Sequence, residues 1–217
     1  MNRTITAAPA DSPSRLMGTL AIMGFAAEDN LRKVAQAFTQ RDRRELALVE
    51  ERNAKQPRLR AEVEEQIVEE SAHLQPNSRQ MQKWRMVSHL ANIFERMGNH
   101  TVEIARSCDE ILRDPKPARI ADIRKLLEHA VYITDRAATG LVEEDLEMAR
   151  IAQEQTVAAA IVWANIRREL TTLAQQPQAN ATRIGLLTDI ANRAHEMIDE
   201  SSRLARDVIA FLESAKD

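Results

Sequence analysis

The chain has 217 residues and a formal net charge of −3, with 30 Lys and Arg against 33 Asp and Glu. This balance excludes a strongly basic surface for nucleic acid, and the lack of an apolar run of about 18 residues or more leaves the chain peripheral to a membrane at most. A composition with 44% hydrophobic residues, 3% aromatic residues and five glycines is typical of long helices. We therefore expect an all-α protein with no sheet.

The first element is predicted to be a helix over residues 14–40, after a leader of residues 1–13 that is rich in Thr, Ala, Pro and Ser. The leader has no hydrophobic periodicity, which predicts disorder. The apolar stretch 16–27 is similar to the core of a signal peptide. An apolar stripe continues through that stretch to Phe38, however, and this favours an ordinary amphipathic helix.

Two further helices complete the predicted first half. The second covers residues 45–74 and contains Pro57, which predicts a kink or a restart, because proline removes a backbone donor and collides with the preceding turn. The third begins after Asn77 or Ser78, either of which can cap it, and ends near Arg113.

Residues 114–117 contain two prolines just after a helix and mark the best domain boundary. They separate a first unit, residues 14–114, from a second, residues 118–217. Three helices are predicted in the second unit: 118–140, 142–176 and about 182–214.

The two units share one helical pattern. Residues 91–112 recur one hundred positions later as residues 191–212, with apolar or small residues spaced four and three apart. The first seam comprises Val87, Ala91, Phe94, Gly98, Thr101, Ala105, Cys108 and Leu112; the second comprises Leu187, Ala191, Ala194, Ile198, Ser201, Ala205, Val208 and Leu212. The junctions also align, with Asp42 matching Asp145. The repeat predicts two tandem, pseudo-symmetric three-helix bundles built from six long antiparallel helices.

Polar pairs follow the two seams. Glu95 and Asn99 lie four residues apart on one flank of the third helix, and His195 and Asp199 occupy the matching flank of the sixth. Each pair can offer two ligands to a divalent metal, although an ion-paired helix surface has the same pattern. The single cysteine, Cys108, lies on the seam, which predicts a buried core residue and suits a reducing compartment.

The segment from Phe94 to Ala105 resembles the signature helix of the PhoU family of phosphate-transport accessory proteins. Residues 40–42 and 49–53, the loop 74–76 and residues 205–209 resemble further parts of that family. The resemblance implies a cytoplasmic, homodimeric, non-enzymatic adaptor. It would regulate phosphate transport and phosphate-starvation signalling through contact with a transporter component and a sensor kinase.

The resemblance also implies metal sites. Glu95 matches the first acidic position of the first repeat, and Asp199 matches the second acidic position of the second repeat. Asn99 and His195 depart from the family pattern, and Asn53 stands where the family has Asp. Because an amide lacks the charge of a carboxylate, we expect weaker binding than in a typical member: either a single Zn²⁺, Fe²⁺ or Ni²⁺ ion or none. If an ion is bound, we expect it to bind more tightly at His195 with Asp199 than at Glu95 with Asn99. No other cofactor is expected.

Three alternatives remain open at this stage. One is a regulatory helical tail or accessory module of a sodium–phosphate cotransporter, and another is a purely structural helical bundle. A third is a carboxylate-bridged di-iron enzyme, which needs two Glu-x-x-His segments, whereas only Glu70 to His73 fits. No nucleophile constellation or Gly-rich phosphate loop is found, so no catalytic residue is predicted.

Overall fold

A computed structural model describes residues 12–114 and 122–214 of the chain. Every regular element in those two ranges is a helix, which confirms the all-α prediction. The helices are α1 (Ser12–Gln40), α2 (Arg43–Ala47), α3 (Val49–Asn53), α4 (Gln56–Ser71), α5 (Arg79–Arg113), α6 (Asp122–Val142), α7 (Leu146–Ala174) and α8 (Ala181–Glu213). None of the described helices is long and apolar enough to cross a membrane.

Two boundary predictions fall partly outside the described residues. Helix α1 begins at Ser12, so Ser12 and Pro13 belong to the helix and not to the predicted leader; the rest of the leader, residues 1–11, is not described. Of the predicted domain boundary, Asp114 is described and residues 115–117 are not. The division of the chain at that point stays a prediction.

The predicted second helix is wrong in detail, because it consists of the three segments α2, α3 and α4. The chain leaves regular helix at Leu48 and again just before Gln56. Pro57 causes no mid-helix kink: it lies in the first turn of α4, where its missing N–H group has no helical partner to lose. Helix α4 ends at Ser71, three residues before the predicted end.

The two junctions that enter the second helix of each half have the same geometry. Arg41 (φ 59°) and Glu144 (φ 54°) adopt the left-handed conformation that ends the preceding helix. The next residues, Asp42 and Asp145, each accept hydrogen bonds from two backbone N–H groups of the following turn. These caps start the second and fifth helices at residues 43 and 146, where residues 45 and 142 were predicted.

The long helices α5 and α8 join the two bundles. All sixteen predicted seam residues on these helices are buried. Helix α5 packs antiparallel against α8, and α1 packs against α6 beside them. Four of the polar pairs that cross from α5 to α8 are centred on the level of Gly98 and Ile198, two residues that the repeat aligns with each other. They are Arg96 with Glu200, His100 with Glu196, Glu103 with Arg193, and Ser107 with Asp189. The bundles are therefore related by a pseudo-twofold axis at this level.

Candidate functional site

The predicted site residues lie on two separate helix flanks, each facing the second helix of its own half. Glu95 on α5 contacts α4, whereas His195 on α8 contacts α7. Asp199 lies one turn beyond His195. Nowhere in the described part of the chain do three His, Cys, Asp or Glu side chains converge in a way that could hold a metal ion.

The first-half site is an ion pair beside a pair of amides. Nε of Arg60 lies 2.5 Å from Oε2 of Glu95, and the two side chains are 35% and 22% exposed. The Nε–H bond is not aligned with a carboxylate oxygen, so the contact is a close ion pair and not a well-directed hydrogen bond. Next to it, Nδ2 of Asn53 donates to Oδ1 of Asn99 at 3.2 Å.

Gly98 makes room for the Asn53 side chain. A Cβ atom on Gly98 would lie 2.0 Å from Oδ1 and 2.9 Å from Cγ of Asn53. This Oδ1 atom is buried and accepts no hydrogen bond in the structure. The first half therefore needs glycine at this position because a buried amide lies directly against the helix backbone.

The second-half site is a stack of rings. His195 stacks on Trp163 of α7, with ring centroids 4.0 Å apart and an angle of 28° between the planes. The guanidinium carbon of Arg167 lies 4.6 Å from the centroid of the Trp163 ring. Nε2 of His195 is 3.7 Å from Oδ2 of Asp199, and Nδ1 of the imidazole is buried without a hydrogen-bond partner.

The two halves differ in how well they suit the metal that the family resemblance implies. Glu95 already faces the Arg60 guanidinium, and Asn53 and Asn99 supply no negative charge, so the first half does not fit a multinuclear cation cluster. In the second half, His195 and Asp199 are suitable donor types. They would be two protein ligands, whereas zinc sites normally use three or four.

Arg60 and Trp163 are the site residues that sequence analysis missed. Both lie on the second helix of their half, away from the two seams that pointed to the third helix of each half. The signal that points to them is the junction repeat: residues 39–51 align with 142–154 at an offset of 103, and the same offset aligns Arg60 with Trp163.

The seam cysteine is inert. Cys108 is fully buried, and this burial raises the pKa of its thiol far above the usual range. Glu70 and His73 do not support the di-iron alternative. Glu70 lies in the last turn of α4, and His73 lies beyond the end of that helix and is exposed, so the two do not form a buried pair of ligands.

A cleft of about 330 Å³ lies between α1 and α6, where the two halves meet on one side. Phe94 and Val131 contribute to its floor, and Glu28 and Glu143 are among its polar residues. Phe25, which also lines the cleft, is 71% exposed. Ile22, one turn earlier on α1, is 59% exposed. From the sequence, residues 16–27 were predicted as part of an amphipathic helix, without a binding role.

Comparison with known proteins gives the same fold. The PhoU domain model matches residues 20–108. The crystal structure of PhoU from Pseudomonas aeruginosa is similar with a TM-score of 0.86 at 17% sequence identity, over 94% of this chain and 98% of that chain. PhoU from Streptococcus pneumoniae, described as a phosphate transport system regulatory protein, gives a TM-score of 0.83 at 13% identity, over 94% of this chain and 95% of that one. A search of the curated proteins finds no match. The match to the PhoU domain thus lies in the first half of the chain, and nearly all of the chain has the fold of the solved PhoU structures.

Proposed function

We propose that this protein is a non-enzymatic regulator of phosphate transport that acts by contact with a phosphate transporter component and a sensor kinase. The observation that carries the proposal is the PhoU-domain match within a chain that has the PhoU fold almost throughout. The similar protein from Streptococcus pneumoniae is described as a phosphate transport system regulatory protein. A role by association is supported by site residues that form ion pairs and ring stacks and not a nucleophile with its base.

We place the transporter contact on the cleft between α1 and α6. Phe25 exposes its large apolar side chain in the lining of the cleft, and the exposed Ile22 lies one turn earlier on the same helix. Large apolar residues rimmed by polar ones are typical of protein-binding surfaces. Glu28 and Glu143 in the same cleft suit a partner segment with basic residues. In our proposal the protein acts in the cytoplasm as a homodimer.

The proposal is tested with the purified ATP-binding subunit of a phosphate transporter and the cytoplasmic part of a phosphate-sensing kinase. Phe25→Ser is expected to weaken binding to the transporter subunit at least about tenfold, the effect of losing one well-buried aromatic anchor. Val68→Ser is the matched control, because Val68 is 68% exposed on α4, outside the cleft. Absence of binding to both partners would refute the proposed function, and equal loss in both variants would refute the assigned surface.

A phosphate-responsive reporter in cells that lack the protein gives an independent test. The parent chain is expected to restore repression at high phosphate, and the Phe25→Ser chain is expected to restore it only in part. Sedimentation of the purified parent protein tests the dimer.

A further inference from the structure

The second helices of the two halves have the same register. Segments α2–α4 cover residues 43–71 and α7 covers residues 146–174, so both begin directly after a capping aspartate and have the same length. The same offset therefore holds at both ends, and Arg60 and Trp163 occupy equivalent positions between them.

These equivalent residues contact equivalent partners. Arg60 faces Glu95, Trp163 faces His195, and the hundred-residue repeat aligns Glu95 with His195. In each half, one side chain from the second helix therefore covers the first site position of the third helix. The chemistry of the cover differs: it is a cation against a carboxylate in the first half, and an aromatic ring against an imidazole in the second.

The charges of the four site residues in the first half balance without a bound ion. Glu95 contributes one negative charge and Arg60 one positive charge, while the neighbouring Asn53 and Asn99 are neutral. A metal ion at Glu95 would have to approach the Arg60 guanidinium or displace it, and like charges repel at this short range because both side chains are partly shielded from water. The neighbouring amides would leave the added charge without a counter-charge.

We propose that the Arg60 guanidinium occupies the place of a cation in the first half, so that this half is held together by an internal ion pair and binds no transition metal. Arg60 is then a structural counter-ion that fastens α4 to α5. At positions 53 and 99 this chain has Asn where the family pattern has Asp. These two neutral amides complement Arg60, because with them the pair of Arg60 and Glu95 leaves the site without net charge. This inference does not depend on the proposed function.

The decisive experiment restores a metal site and asks whether Arg60 blocks it. All chains carry His195→Ala to remove the second-half imidazole, and binding of Zn²⁺ alone is followed by calorimetry in a non-chelating buffer. The His195→Ala chain is expected to bind no Zn²⁺ in the first half. The chain that also carries Asn53→Asp, Asn99→Asp and Arg60→Met is expected to bind one Zn²⁺ or more.

The matched control has the same two aspartates but carries Arg58→Met in place of Arg60→Met. Arg58 lies on the same helix, with its side chain 86% exposed and paired with Glu62, so its removal changes the net charge equally without opening the site. Zn²⁺ is expected to bind the Arg58→Met chain at least about 100-fold more weakly than the Arg60→Met chain, as for a strong local repulsion. Equal affinity in the two chains would overturn the proposal, and so would Zn²⁺ binding to the His195→Ala chain that Glu95→Gln abolishes.

A thermal double-mutant cycle tests the ion pair without a metal and without the added aspartates. Arg60→Met and Glu95→Gln are each expected to lower the melting temperature, because each leaves the other group without its partner. The double variant is expected to lose clearly less than the two single losses combined. Additive losses would show that the two residues do not form one unit, which would overturn the proposal.

Discussion

Replacing Gly98 by alanine tests the packing at the centre of the molecule. The new Cβ would lie 2.0 Å from Oδ1 of Asn53, a separation at which one of the two residues must move. Asn53 is buried, so its side chain has little room to turn away without breaking its hydrogen bond to Asn99. We therefore expect Gly98→Ala to destabilise the protein although alanine is the better helix former.

The expected loss follows from three contributions. Overpacking a tight core costs about 1–3 kcal/mol, and loss of the partly buried hydrogen bond between Asn53 and Asn99 costs about 1 kcal/mol. Alanine returns about 1 kcal/mol through its higher helix propensity. The net loss is about 1–3 kcal/mol, which lowers the melting temperature of a chain of this size by roughly 2–4 °C per kcal/mol.

Thermal unfolding followed by circular dichroism measures this loss. Gly185→Ala is the matched control, because nothing lies within 4 Å of a Cβ at that position of α8. It should raise the melting temperature through helix propensity alone. Adding Asn53→Ala to Gly98→Ala should recover part of the loss by removing the clash. If Gly98→Ala is as stable as Gly185→Ala, the assigned contact with Asn53 is wrong.

Four further outcomes are expected. Phosphate esters should not be turned over; reproducible turnover that disappears in Glu95→Gln or Asp199→Asn would contradict the proposed non-enzymatic role. In calorimetric titration with Zn²⁺, any binding by the parent should be lost in His195→Ala and kept in Glu95→Ala; survival in His195→Ala would locate the site elsewhere. A thiol reagent should leave Cys108 unmodified in the native protein and modify it on unfolding, because burial raises the pKa of the thiol and shields it; rapid native labelling would contradict its burial. Burial, with Lys125 nearby, lowers the pKa of His129 in the folded protein, so the unfolded chain binds more protons between this lowered pKa and the ordinary histidine pKa. Stability should fall as the pH drops from the ordinary pKa through the lowered one, and His129→Gln should reduce the fall in denaturant titrations; an unchanged fall in His129→Gln would contradict the assignment.

The seam helices could be predicted because their signal is repeated and long. Eight buried positions at spacings of four and three recur in α5 and in α8, and only a helix buries such a stripe. The cap Ser78 follows local rules and is one of the two residues expected there. The break at Leu48 has no such signal in the sequence, because no proline or glycine is nearby. The break is also slight, since Leu48 keeps a right-handed helical backbone conformation.

The candidate site was only partly predictable. The pairing of His195 with Asp199 follows from their spacing on one helix. The contacts of Arg60 with Glu95 and of Trp163 with His195 join different helices, and their existence depends on how far each helix is rotated about its axis. Helix spacing within one segment carries no information on that rotation. Only the comparison of one half with the other points to these two residues.

The antiparallel packing of α5 on α8 within one chain allows the two halves to acquire different substitutions during evolution. Two identical subunits related by a true twofold axis must carry every substitution twice, so a change that suits one binding site alters its symmetry mate as well. Here both halves belong to one polypeptide, and each codon affects one half only. An arginine could therefore neutralise one side while a tryptophan and a histidine came together on the other, and the shared core between Gly98 and Ile198 still holds the two unequal halves in one frame.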